Sequence, residues 1–387
     1  MTVWSDLTGQ DSAVATLRAA AAGAADGSEP VAHSWLITGP PGSGRSNLAL
    51  AFAGALISGR PDGDAATWAQ VQAHTHPDLH VLTTEGVIIK VADVREIVRR
   101  SHYAPSVGQH RVVLVEDADR MTEHTSNVLL KELEEPPPRT VWLLCAPSEA
   151  DLLPTIRSRV RSLRLRVPSV EAVADLLVRR DGVNPALAER AAREAQSHIG
   201  MAHRLATSDE ARARRAETLA LALGVRSAAT VVAAAARLVQ IAGDDAKAVA
   251  ELRDGAELEH ARQSLGIAPG AAVPTQLRAQ LRAIEDDQKR RQTRTLRDGI
   301  DRILVDLSSL YRDVLLLQLG AGAELVNREI AAELAEAASR TTATVTLATL
   351  AAIDEARERI SNNVQPTLAL EAMLVSAVRR NEERGAA

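Results

Sequence analysis

The run Gly39-Pro40-Pro41-Gly42-Ser43-Gly44-Arg45-Ser46 constrains this chain more than any other feature. It fits the phosphate-loop pattern G-x-x-x-x-G-K-[ST] except at the lysine, where Arg45 stands. Before it lies the apolar run Trp35-Leu36-Ile37-Thr38, which reads as a strand. After it, Asn47 to Ile57 reads as a helix. Glycines in such a loop let backbone N–H groups wrap phosphate oxygens, and the following helix aims its positive end at the same place. Ser46 falls where a hydroxyl would ligate Mg²⁺. Arginine is larger and planar, so Arg45 is not a conservative replacement for a compact ammonium at a tight site. Nucleotide binding is compatible with it; efficient hydrolysis is not expected.

A second element lies downstream. Val112-Val113-Leu114-Val115 is a β-branched run ending in Glu116-Asp117-Ala118-Asp119. An apolar strand ending in acids, beyond a phosphate loop, is the metal- and water-handling element of P-loop ATPases. The usual order there is aspartate then glutamate. Glu116 then Asp117 reverses it, placing the longer side chain at the metal position and the shorter at the water-polarising one. Ser126 to Glu134 reads as a helix closed by Pro136-Pro137-Pro138, and Val141 to Cys145 as another buried strand. Short apolar strands separated by helices predict a parallel α/β sheet.

After Pro168 the pattern turns helical. Ser169 is a candidate N-cap, with Val170, Val173 and Leu177 on one face. Asp181-Gly182 ends that helix and Asn184-Pro185 starts another, giving a two-helix unit that reaches about Ser208. A long helical region follows, broken by the loop Gly266 to Pro274. Ile300, Ile303, Leu304, Leu307, Leu310, Tyr311, Val314 and Leu315 keep helical spacing and predict a core face. The mixed charges of Glu285 to Arg297 favour a solvated face over a binding patch.

Composition narrows the function. The chain has 387 residues, 46% of them hydrophobic and 2% aromatic, so an extensive core must be built from small aliphatics. A net charge of −5 argues against coating nucleic acid by bulk charge. The single cysteine, Cys145, excludes a disulfide framework and a four-thiolate metal site. His74 and His76 have no evident third ligand and read as structural, so no zinc is expected. No signal pattern opens the chain, and no apolar run reaches the roughly 18 residues of a membrane helix. A cytoplasmic protein without membrane contact is the expectation.

Several further runs carry a resemblance. Asn127 to Pro137, Ser158-Arg159, Trp4-Ser5-Asp6-Leu7-Thr8-Gly9-Gln10 and His33-Ser34-Trp35-Leu36 together resemble bacterial clamp-loader AAA+ subunits. Thr75-His76-Pro77-Asp78 and Glu116-Asp117-Ala118-Asp119-Arg120-Met121 are similar to the delta-prime branch in particular. Asn363 to Glu371 resembles the last helix of clamp-loader collars. The resemblance implies an α/β AAA+ (RecA-like) domain over 1–167, a helical lid over 168–208 and an all-α collar over 209–387. It implies membership of the DNA polymerase III holoenzyme at the nucleoid. Implied partners are gamma/tau and delta subunits in a pentameric ring, and through it the sliding clamp and primer-template DNA.

The delta-prime branch is similar to a rigid stator with little or no ATPase of its own. It offers an arginine finger to ATP held by a neighbour. The family finger lies in Ser-Arg-Cys, matched by Ser158-Arg159-Val160, so Arg159 inherits the role and Val160 departs from the cysteine. Gly39, Pro40, Pro41, Gly42, Ser43, Gly44, Arg45, Ser46, Glu116 and Asp117 would hold ATP or ADP with Mg²⁺, weakly or vestigially. A family zinc module is absent, because Ser58 to Ala73 has no cysteine. Ala146 aligns with the polar γ-phosphate sensor, and His203, beside Arg204, with the lid arginine. The competing reading is an ATP-hydrolysing motor subunit of the gamma/tau type. Arg45, the Glu116-Asp117 order and Ala146 all favour the stator. A regulator outside replication fits the collar-like C-terminus poorly.

Overall fold

The computed structural model describes residues 2–28, 30–84, 88–225, 227–264 and 278–385. The expected loop Gly266 to Pro274 lies outside the described residues. The chain divides into two compact units, Met1–Thr207 and Ser208–Ala387. Unit one runs α1 (Asp11–Asp26), β1 (Ser34–Thr38), α2 (Arg45–Ser58), α3 (Ala65–Gln72), β2 (Leu79–Leu82), α4 (Val91–Ser101) and β3 (Arg111–Val115). It continues with α5 (Glu123–Glu134), β4 (Thr140–Ala146), α6 (Pro154–Arg157), β5 (Arg161–Arg164), α7 (Val170–Asp181), α8 (Pro185–Glu194) and α9 (Ile199–Thr207).

The five strands form one parallel sheet in the order β2-β3-β4-β1-β5. Every residue of β1, β3 and β4 is buried. This explains their unbroken apolar runs: each strand faces a helical layer on both sides. Alternation assigns the faces. Trp35, Ile37, Val112, Leu114, Val141, Leu143 and Cys145 join the core with α1 and α2. Leu36, Val113, Val115, Trp142, Leu144 and Ala146 join the core with α4 and α5. Trp35 meets Phe52 of α2 edge to face, with centroids 5.4 Å apart.

The edge strands were not visible in the sequence. β5 is largely exposed and carries Arg161 and Arg164, so it has no apolar run to detect. The Arg161 guanidinium instead lies 4.7 Å over the Trp35 ring. Helix α9 was also missed, so the helical segment after Pro168 holds three helices before Ser208 rather than two. Helix α5 begins at Glu123, three residues before the expected start, because Thr122 caps it through Thr125 N–H.

Unit two is helical: α10 (Asp209–Gly224), α11 (Ala228–Ser264), α12 (Arg278–Gln318), α13 (Ala331–Arg340), α14 (Ala343–Ser361) and α15 (Pro366–Gly385). Ile300, Ile303, Leu304, Leu307, Leu310 and Val314 are buried in its core with Leu238, Ile353 and Leu370. The segment Asn363 to Glu371 forms the turn into α15, with Asn363 at φ +66 and Pro366 opening the helix. Among the described residues no helix is long and apolar enough to cross a membrane.

The Thr75–Asp78 run has a structural role. Asp78 is fully buried. Its carboxylate accepts from Ser106 N–H (2.6 Å), Ser106 Oγ (2.9 Å), Val107 N–H (2.8 Å) and Gly108 N–H (2.7 Å). Arg111 Nη2 adds a contact at 3.2 Å, and His76 Nδ1 accepts the Asp78 N–H at 3.1 Å. One side chain thus organises the loop that leads into β3. Burial pushes the Asp78 carboxyl up, but the backbone bonds from Gly108, Ser106 and Val107 outweigh it and hold the pKa at about 2. A depressed folded-state pKa stabilises the fold above the unfolded value, near 3.8, and that stabilisation disappears as pH falls through about 2. Equilibrium denaturation should therefore show a loss of roughly 2 kcal/mol between pH 5 and pH 2 from this group, and Asp78→Asn should lack that component.

Candidate functional site

The phosphate loop joins β1 to α2, and its glycines are required by backbone geometry. Gly42 and Gly44 sit at φ +78 and +90. Gly44 is the N-cap of α2, which has no side-chain cap. The first helical bond runs from Leu48 N–H to Gly44 O at 2.9 Å. The N–H groups of Arg45, Ser46 and Asn47 therefore have no intrahelical acceptor. Two side-chain atoms near them are buried without a hydrogen-bond partner: Ser43 Oγ and Arg45 Nη1. An uncapped helix start with an orphaned hydroxyl and an orphaned guanidinium N–H fits an anionic oxygen ligand such as phosphate.

Parallel pairing brings the other predicted elements alongside. Thr38, just before the loop, is in register with Ala146 at the end of β4. Gly39 N–H donates to Pro147 O at 3.2 Å. Ala146 is buried and apolar, so that position offers no hydrogen bond to a phosphate. Glu116 and Asp117 follow β3, half-buried, with Glu116 N–H bonded to Leu82 O at 3.1 Å. Burial pushes the Asp119 carboxyl up; the charge of Asp117 adds to this and that of Arg45 opposes it. Burial also pushes the Cys145 thiol up to about 12, with Arg45, Glu116 and Asp117 close enough to act on it. The fold thus gathers Arg45 and the three acids around the end of the central strands. Among the described residues no group of three metal-ligating side chains forms.

Arg159 lies elsewhere, just past α6. Its Nε donates to Glu134 Oε2 at 3.0 Å, and its Nη1 to Thr155 O at 2.9 Å and Ser158 Oγ at 3.3 Å. The side chain is 31% exposed. It does not reach this chain's own phosphate loop through any of these bonds. His203 does not face the loop through its bonds either: its Nδ1 pairs with Asp181 Oδ2 at 2.8 Å and meets Arg180 at 3.2 Å.

Comparison with known proteins decides the family. Residues 15–169 match the family described as DNA polymerase III, delta subunit. Residues 294–378 match DNA polymerase III, delta subunit, C terminal. DNA polymerase III subunit delta' of Pseudomonas aeruginosa is 37% identical over 155 residues, 38% of this chain and 47% of that protein. The chain belongs to the delta-prime branch of the DNA polymerase III clamp-loader family. Subunit delta' of Escherichia coli K12 is 32% identical over 202 residues, 50% of this chain and 60% of that protein. The matches span about half the length of these relatives. A solved gamma subunit-related protein of Thermotoga maritima superposes with a TM-score of 0.46 at 17% identity, covering 95% of this chain and 99% of the other.

Within this delta-prime-type chain, two residues at the loop carried no chemical signal in the sequence. Gln10 is buried, donating through Nε2 to Arg166 O at 2.8 Å and Ser43 O at 3.3 Å, while its Oε1 accepts from Arg166 N–H at 3.2 Å. It fastens the loop to the segment that follows β5. His198 lies against Gly42, and Ile199 N–H donates to Gly42 O at 3.3 Å. Two residues with positive φ, Gln196 (+49) and Ser197 (+63), turn the chain into that contact. A Cβ on Gly42 would overlap the His198 ring, whereas one on Gly44 would meet only Ile199 Cδ1 at 4.0 Å. Both glycines have positive φ, so alanine at either should cost roughly 1–2 kcal/mol. Gly42→Ala should cost at least about 1 kcal/mol more than Gly44→Ala by denaturant titration, because the ring must also move. His198→Ala should recover that difference.

Proposed function

We propose that this chain is a delta-prime-type stator subunit of a bacterial replicative clamp loader, and that its chemical contribution goes to a neighbouring subunit's nucleotide. Residues 1–167 act as the AAA+ domain, 168–208 as the lid and 209–387 as the collar of a pentameric ring with gamma/tau and delta subunits. The assembled ring, in the cytoplasm at the nucleoid, loads the sliding clamp onto primer-template DNA. Family membership supports the assembly, and the geometry supports the division of labour.

The observation that carries the reading is the state of Arg159. Its Nε and Nη1 are committed within the chain, while Nη2 makes no hydrogen bond among the described residues and the side chain is partly exposed. A held guanidinium with two uncommitted donors suits a γ-phosphate presented from outside, where charge develops during transfer. Meanwhile the chain's own loop offers Arg45 for lysine, Ala146 for a polar sensor, and a reversed Glu116-Asp117 pair. Gly39 to Ser46 would still hold the phosphates of ATP or ADP through N–H groups, with Ser46, Glu116 and Asp117 nearest to any Mg²⁺. Bound nucleotide would supply charge and order at the lid; the residues present give little means of activating water.

Two measurements test this. Arg159→Ala should leave the isolated chain folded and lower DNA-stimulated ATPase of the reconstituted loader. The loss at the site served should be roughly 10³-fold, seen in total turnover as the loss of that site's share. Unchanged turnover would reject the finger. The chain alone should show negligible ATPase. A turnover that Arg45→Ala removes would instead establish a motor subunit of the gamma/tau type.

A further inference from the structure

We infer that Glu134 is a positioning residue for Arg159, aligning the guanidinium so that Nη2 points away from this chain toward the neighbour's nucleotide. This rests on the finger reading of Arg159 and adds a residue that acts through it.

Glu134 is the last residue of α5. A carboxylate is disfavoured there, because the C-terminal end of a helix carries partial negative charge. Helix stability therefore does not explain it. What stands opposite is Arg159, whose Nε donates to Glu134 Oε2 at 3.0 Å. The backbone carbonyl of Thr155 and the hydroxyl of Ser158 take Nη1 from the other side. Three acceptors on two sides of a planar group fix its plane, and Nη2 takes no acceptor among the described residues. Arg159 is 31% exposed and Glu134 58%, so solvent screens the pair and it does little for the stability of the fold. Its effect is orientation. An arginine has high rotamer freedom, and an unheld guanidinium would spend only part of its time in the reactive geometry.

The test is a double-mutant cycle in the reconstituted loader, reading kcat and KM for DNA-stimulated ATP hydrolysis, with thermal melts of each purified variant. Glu134→Ala should lower the contribution of the served site about threefold to tenfold in kcat, with KM and melting temperature unchanged. Glu134→Gln keeps an oxygen acceptor for Nε and should recover turnover to within about twofold. In the Arg159→Ala background, Glu134→Ala should change nothing further. If Arg159→Ala lowers turnover but Glu134→Ala does not, the positioning role is overturned while the finger stands. If Glu134→Ala lowers turnover equally in both backgrounds, Glu134 acts by another route and the inference is wrong. If Arg159→Ala itself has no effect, the finger reading fails and this one with it.

Discussion

The parallel pairing of β1 with β4, buried on both faces, is the constraint on which the rest of unit one depends. Parallel strands in register end at the same edge of a sheet. That is why Thr38 stands beside Ala146 and why the loop after β1, the acids after β3 and the last residue of β4 meet at one place. None of these segments could make a phosphate-facing site alone. The strands can pair this way only because each presents apolar residues to both layers, with Trp35 and Ile37 to one core and Leu36 to the other. A polar substitution in any of the three inner strands would disturb the site through the sheet, without touching a loop residue.

Around that edge stand a phosphate-type cradle and residues that depart from the active ATPase pattern. The glycines at positive φ, the uncapped start of α2 and the orphaned Ser43 hydroxyl are all features of an anion site. Their cost is a strained loop, and Gln10 and His198 hold it from opposite directions in sequence. The guanidinium at Arg159 is separate in both position and support. It is anchored to α5 and α6, not to the phosphate loop, so either place can be substituted without touching the other.

Legibility in the sequence followed burial and local geometry. The inner strands announced themselves because burial on both faces demands apolar runs. The phosphate loop did so because its positive-φ positions demand glycine at fixed spacing. Edge strand β5 was silent, since half its surface is solvated and arginine is tolerated there. Helix α9 was silent because the chain reaches it through Gln196 and Ser197 at positive φ, which no glycine marks. The Thr75–Asp78 run was recognised only as a likeness. Its purpose, a buried carboxylate collecting four N–H and O–H donors from a loop nearly thirty residues away, is a long-range fact.

By itself the sequence determined that a phosphate loop lies between a strand and a helix, that arginine replaces its lysine, and that a helical region follows a parallel α/β domain. These follow from spacing and residue type, which act locally. Only the tertiary structure decided what faces what. It placed Ala146 beside Thr38, set His198 on Gly42, turned His203 toward Asp181, and put Glu134 against Arg159. Those contacts join residues far apart in the chain, and the packing that makes them depends on all the strands and helices at once.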